Sequence, residues 1–286
     1  MNRIKIKNFG AIKEGAGDNW IELNQTTIFY GEPNTGKTTI LKLIALFTWL
    51  EKQIELKRIK LSEISPTFSK KCFEYYGLTY NFFNNNTVIE CESITHRFTV
   101  EQNKDFYTEI KAEKISDDYK IPKILFVPQN RYLLNENSFI NTVQDIPCYL
   151  ADFLIYWDSF LRYFAEERIP IPGYGLNLYY KSIRKILYVK GENFKINIQE
   201  ASQTIKQIAP LILVSKRYLG LNTYNNEYNY SIIDDVRAED IKQIPIGENG
   251  NKTVLSMSLL ELLEYAVLEE NTNYYKLQKN GRIYKI

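Results

Sequence analysis

The chain has 286 residues, 44% of them hydrophobic and 24% charged, which are the proportions of a globular protein with one large domain or two small ones. Its 36 lysines and arginines against 34 acids leave a formal charge of +2, which excludes a globally basic nucleic-acid binder and leaves only a local patch to be sought. Three cysteines without CxxC spacing and a single histidine argue against a disulfide framework and a Cys/His metal site.

The periodicity predicts the following elements in chain order. Residues 1–6 alternate as a strand and turn at Asn8-Phe9-Gly10; Ile12 and residues 20–23 give further strand pieces. An apolar strand over 26–30 precedes a helix over 38–50, continuing to about Leu56. Asn84-Asn85-Asn86 marks a hairpin turn between strands over 78–83 and 87–93, and strands over 97–102 and 106–111 continue an antiparallel meander. His96 lies in this meander and reads as a surface or half-buried structural residue.

A buried strand over 123–127 ends in Pro128-Gln129-Asn130-Arg131. An aromatic-striped helical segment over 139–167 carries Tyr149, Phe153, Tyr156, Phe160 and Phe164 as packing residues, and Pro170 and Pro172 break it. Strands near 176–180, 185–189 and 194–198 lead to a helix over 202–218, then a polar loop over 222–229. A strand over 230–235 ends in Asp234-Asp235; a strand over 253–257, a helix over 259–269 and a final hairpin complete the chain. No apolar run is long enough to span a membrane and no secretory signal precedes the first motif, so a cytoplasmic location is expected.

The strand–loop–helix at 26–50 contains Gly31-Glu32-Pro33-Asn34-Thr35-Gly36-Lys37-Thr38-Thr39, which fits G-x-x-x-x-G-K-[ST]. The glycines let successive N–H groups turn inward on a phosphate, and the helix start adds partial positive charge. Asn34, Thr35 and Thr39 complete this cradle around Gly31, Gly36 and Lys37. Lys37 reaches the outer phosphates, and the Thr38 hydroxyl holds magnesium. ATP and Mg2+ are the expected ligands.

The opening Ile4-Lys5-Ile6-Lys7-Asn8-Phe9-Gly10-Ala11-Ile12-Lys13, with this loop and Phe47-Thr48-Trp49-Leu50-Glu51-Lys52, resembles the start of an ABC-type ATPase head. The group is that of SMC, RecF and OLD-like proteins, nearest to the bacterial AAA-15/AAA-21 ATPases of anti-phage and abortive-infection settings. The resemblance implies an α/β P-loop NTPase fold with a mixed central sheet. It implies one head over 1–286, with an antiparallel β addition at about 75–115, a helical lobe at about 139–170 and a reduced C-terminal lobe at about 230–286.

The resemblance also implies roles for further residues. Gln129 stands where a Q-loop glutamine would bind magnesium and the attacking water, or is a polar residue at a loop end. Arg131 matches the family arginine near a phosphate. Ser202 stands in the place of the signature serine that meets a partner's nucleotide, but Thr204 replaces the signature glycine. Asp234 would hold magnesium and Asp235 would act as the base, one methylene shorter than the usual glutamate; the alternative is a strand end with two solvated carboxylates. Ser258 takes the place of the switch histidine.

These departures predict retained nucleotide binding with weak or conditional hydrolysis. The expected assembly is a homodimer or heterodimer through the nucleotide face, with a possible effector protein. The alternative is an inactive nucleotide-binding scaffold or regulatory subunit that restrains a nuclease or toxin. A small-molecule or nucleoside kinase is a third reading, disfavoured by the opening motif. Nucleic-acid binding has weak local support from Lys57, Arg58, Lys60, Lys70 and Lys71, a charge run of the kind that most often forms a solvated face.

Overall fold

The computed structural model describes residues 1–15, 20–102, 108–119, 123–135, 148–218, 229–234, 252–257 and 272–286. They fall into two compact units. The first holds the described residues of Met1–Phe126, Glu227–Ala238 and Ile246–Ile286; the second holds those of Val127–Asn226. The architecture is α/β.

The first unit is built on two sheets. Strands β1 (Arg3–Phe9), β2 (Ile12–Glu14), β3 (Ile21–Glu22) and β4 (Thr26–Gly31) precede helix α1 (Lys37–Glu55). After α2 (Pro66–Tyr75) come β5 (Phe83–Glu92), β6 (His96–Gln102), β7 (Thr108–Lys114) and β8 (Lys123–Val127). The antiparallel sheet runs β2-β1-β5-β6-β7, with β3 also on β1. The second sheet uses strands from late in the chain: β13 (Asn229–Ile233), β14 (Lys252–Met257), β15 (Thr272–Leu277) and β16 (Ile283–Lys285). Its order is β16-β15-β4-β14-β13-β8, and β15, β4, β14 and β13 pair in parallel.

Every residue of β4 is buried, which is what a parallel strand covered on both faces requires. Helix α1 explains the cover. Its apolar residues wrap nearly the whole circumference, and Ile40, Leu41, Leu43, Ile44, Leu46, Phe47 and Leu50 are all fully buried. A helix apolar all round must be covered on all sides. It packs on β4, β13 and β14, while Phe47 reaches Phe98 of β6 and Phe73 of α2 at centroid distances of 5.5 and 6.4 Å. Each such side chain contributes roughly 1.5–3 kcal/mol by leaving water.

Near its end α1 buries one charge, Glu51. Its carboxylate accepts from the Thr95 N–H at 2.8 Å, the Thr95 hydroxyl at 3.0 Å and the Ser93 hydroxyl at 2.5 Å. A buried carboxylate needs such donors, and these tie α1 to the β5–β6 turn.

The second unit holds α3 (Cys148–Tyr163), strands β9 (Arg168–Ile171), β10 (Leu176–Lys181), β11 (Ile186–Lys190) and β12 (Lys195–Asn197), and α4 (Gln203–Tyr218). The strands form an antiparallel sheet in the order β12-β11-β10-β9. Of the expected aromatic stripe, Phe153, Phe160 and Phe164 are buried and Tyr149 is half-buried; Trp157 is buried beside them, and α3 packs on α4.

Four sequence readings need correction. The asparagines 84–86 do not join two strands. They form an expansion within the single strand β5, where the register on β1 jumps between Lys7↔Val88 and Phe9↔Phe83. The Thr87 hydroxyl donates to the Asn8 carbonyl at 2.5 Å and binds Asn84 on both sides, so a local polar loop stands in for a hairpin. Residues 78–83 accordingly hold a 3-10 turn rather than a strand. Helix α2 went unread, although Ser65 caps it by accepting from the Phe68 N–H at 3.2 Å and Pro66 opens it. His96 is fully buried rather than at the surface or half-buried, with Nδ1 3.0 Å from Thr95 Oγ1 and 3.5 Å from Glu55 Oε1. Pro170 does more than break a helix: it sits in β9, an edge strand, where its missing N–H is tolerated.

Among the described residues no helix is long and apolar enough to cross a membrane. The expected segments over 139–147, 222–228 and 259–269 lie outside the described residues.

Candidate nucleotide site

The site lies where β4 gives way to α1, at the C-terminal ends of the parallel strands, where open α/β sheets bind ligands. Gly31 leaves the strand at φ 152°, and a Cβ there would stand 2.3 Å from the Leu277 carbonyl oxygen of β15. Gly36 precedes the helix at φ 98°, and a Cβ there would stand 2.8 Å from Ile12 Cγ1. Both positions demand glycine, for backbone angle and for space. Between them Asn34 takes φ 62°, and the Thr35 hydroxyl donates to the Glu32 carbonyl at 2.9 Å. The loop is thus curled by its own bonds, and no acidic residue stands in the first turn of α1 to neutralise its N-terminus.

Lys37 folds over this loop. Its ammonium donates to the carbonyls of Gly31 at 2.8 Å and Glu32 at 2.7 Å. Thr38 points to the sheet, where its hydroxyl donates to Asp234 Oδ1 at 3.2 Å. Thr39 is half-buried in the same turn.

The approach of Thr38 to Asp234 follows from strand register. Ile233 of β13 pairs with Leu255 of β14, so the next residues, Asp234 and Ser256, stand level. The Ser256 hydroxyl donates to Asp234 Oδ1 at 2.6 Å. Asp234 is 2% exposed and Ser256 1%. The strand β14 lies between β4 and β13, which places the aspartate about 10 Å across the sheet from the loop strand. The first turn of α1 bridges that gap. One turn further on, burial lowers the pKa of Lys42, and the charge of Asp234 works against that shift.

These residues fit a magnesium nucleotide. A buried carboxylate and a hydroxyl on adjacent elements form an oxygen donor set for a hard cation. The glycine-lined curl beside them admits no side chain of its own. A phosphate there would offer Lys37 a stronger partner than the carbonyls it now holds.

Ser256 was missed in the sequence reading, which looked two residues on, to Ser258. The available signal was a lone hydroxyl in the buried run Val254-Leu255-Ser256-Met257. Ser258 and Asp235 lie outside the described residues.

The second unit holds the other expected site residues. Gln129 is exposed at the head of a 3-10 turn, Gln129–Asn135. Arg131 is 1% exposed, and its Nε donates to the Gln207 carbonyl at 3.2 Å while Nη1 donates to that of Pro128 at 3.3 Å. Its guanidinium therefore braces the 3-10 turn against α4. Ser202 is exposed and caps α4, accepting from the Ile205 N–H at 3.4 Å. Thr204 is half-buried in the first turn of that helix.

Fold and site together define an α/β protein with a phosphate-binding loop, the core arrangement of a P-loop NTPase. No known protein family matches the sequence, and no curated protein matches it. Among solved structures the chain is similar to an Smc head bound to the C-terminal winged-helix domain of ScpA, with TM-score 0.48 and 11% identity, covering 100% of this chain and 97% of that one. It is also similar to an Smc head with an extended coiled coil bound to the C-terminal domain of ScpA, derived from Pyrococcus furiosus, with TM-score 0.47 and 10% identity, covering 100% and 95%. Likeness at this level carries no functional weight.

Proposed function

We propose that the chain is an ATP-binding head of ABC type whose hydrolysis is slow or conditional. The observation that carries this is the meeting of Thr38 and Asp234 at 3.2 Å beside a loop that only glycines can form. In this reading the loop N–H groups and Lys37 bind the phosphates, and Thr38 and Asp234 hold magnesium. Bound there, magnesium would supply neutralisation of the phosphate charge. Asp235 orients the attacking water. Two heads pair through the nucleotide face, Ser202 of each meeting the other's nucleotide, in a cytoplasmic complex of the anti-phage kind that the opening motif resembles.

The second reading is a nucleotide-binding scaffold without turnover that restrains a separate effector. The side chain of Thr204 at the signature position and the use of the Ser202 hydroxyl as its own helix cap favour it.

Calorimetry with ATP and magnesium, combined with a phosphate-release assay on the same sample, separates the two. Binding with turnover above that of Lys37→Ala supports the first reading, and binding without it supports the second. Absence of binding removes both. Size exclusion with and without ATP reads the pairing.

A further inference from the structure

The four-stranded sheet of the second unit has one buried face and one partly exposed face, and the partly exposed face has an unusual composition. Ile169, Ile171, Leu178, Tyr180, Leu187 and Val189 point inward and are buried. The alternate residues point outward. Among these are Arg168 on β9, Tyr179 and Lys181 on β10, Tyr188 and Lys190 on β11, and Lys195 on β12. None of the four strands contains an acidic residue, although the chain as a whole is nearly neutral.

The aromatic residues are adjacent. Tyr179 and Tyr188 are direct cross-strand partners, and Lys190 pairs with Lys195 one outward position further along. Lys181 stands the same distance away on the other side of Tyr179. Outward positions on one strand are about 7 Å apart. The face therefore reads cation, aromatic pair, cation along the strand direction. Glu166, just before the sheet, accepts a hydrogen bond from the Tyr179 hydroxyl and from the Ser182 N–H, which holds that ring in place. The Lys195 ammonium lies 3.9 Å from the Tyr188 ring centroid and 4.8 Å from that of Tyr179. At the β10–β11 tip Ile183 is 88% exposed, with Arg184 and Lys185 beside it.

We propose that this face binds single-stranded nucleic acid, with bases stacked on Tyr179 and Tyr188 and the backbone phosphates held by Lys181, Lys190 and Lys195. An antiparallel sheet presenting paired aromatic rings between cations is suited to unstacked bases, because every base has a π-face and every linkage a charge. An acidic peptide would satisfy the cations and leave the rings unused. Duplex nucleic acid would meet the cations but keep its bases inside the stack. Lys195 moves from the rings to a phosphate on binding; an exposed cation–π contact of about 0.5–1 kcal/mol is weaker than base stacking at about 1–3 kcal/mol. The inference stands apart from the nucleotide reading, since no residue of the phosphate loop enters it.

The test is fluorescence anisotropy with the full chain and a labelled oligothymidylate of about 12 nucleotides, titrated from about 50 to about 200 mM salt. Wild type is expected to bind, with affinity falling steeply as salt rises. Tyr179→Ala with Tyr188→Ala weakens binding at least tenfold, whereas Tyr179→Phe with Tyr188→Phe binds like wild type, because the π-faces remain. Lys181→Gln, Lys190→Gln and Lys195→Gln together flatten the log–log salt slope by about 2, at about 0.7 per phosphate contact. No binding by wild type overturns the proposal, as does an alanine pair that binds normally. Duplex binding equal to that of the single strand, or full displacement by polyglutamate at equal charge, also overturns it and assigns the face to another partner. The phenylalanine pair also guards against misfolding: if it loses binding while the thermal midpoint is kept, the stacking argument fails.

Discussion

The Ser256 hydroxyl donates to Asp234 Oδ1 at 2.6 Å, and the same oxygen receives the Thr38 hydroxyl from α1 at 3.2 Å. One carboxylate thus links the phosphate loop to two neighbouring strands. Ser256 is a positioning residue: its hydroxyl fixes the aspartate that meets Thr38 of the loop.

Ser256→Ala should leave the protein folded at a cost of about 1.5–3 kcal/mol, the usual value of a hydrogen bond with a charged partner. Calorimetry should show ATP affinity falling more in the presence of magnesium than in EDTA. Equal loss in both conditions would assign Ser256 to general packing.

Gly36→Ala should abolish nucleotide binding and lower stability by about 1–3 kcal/mol, since φ 98° is strained for alanine and Ile12 Cγ1 would stand 2.8 Å away. Ile12→Ala in the same chain relieves the clash but not the backbone strain. The double variant should therefore recover part of the stability, measured by urea unfolding, and none of the binding.

Lys37→Ala should keep the ligand-free thermal midpoint near wild type, because the side chain is not buried and its ammonium is held by loop carbonyls. What it should lose is the stabilisation by ATP. At a hundredfold excess over Kd the wild type gains about 2.7 kcal/mol, an upward shift of several degrees. A variant that still shifts would place the phosphate contacts elsewhere.

His96 should make stability depend on pH. Burial lowers its pKa from the ordinary 6.5, while Glu55 and Glu51 pull it partly back. The folded chain therefore holds the ring neutral when the unfolded chain already binds a proton. The stability contribution is complete above about pH 6.5 and declines as pH falls from there toward the lowered folded value. Unfolding midpoints between pH 7 and pH 5.5 should fall more steeply for wild type than for His96→Gln. Parallel curves would remove His96 from the account.

Much of the chain is legible in its sequence because its signals are local. The loop from Gly31 to Thr39 announces itself through glycine and lysine spacing, and β4, α1, β8, β10, β11, β14 and β15 follow from apolar periodicity. The missed features depend on partners distant in sequence. Asparagines 84–86 make a bulge because Asn8, nearly eighty residues away, offers its carbonyl to Thr87. His96 is buried because α1 brings Glu55 against its strand. Ser256 matters because strand register sets it beside Asp234. The sequence by itself determined the glycine-bounded cradle between β4 and α1, since backbone angles and close approach demand glycine at Gly31 and Gly36. Only the tertiary structure decided which carboxylate and which hydroxyl meet at that cradle, because hydrogen bonds across a sheet are chosen by strand order and register.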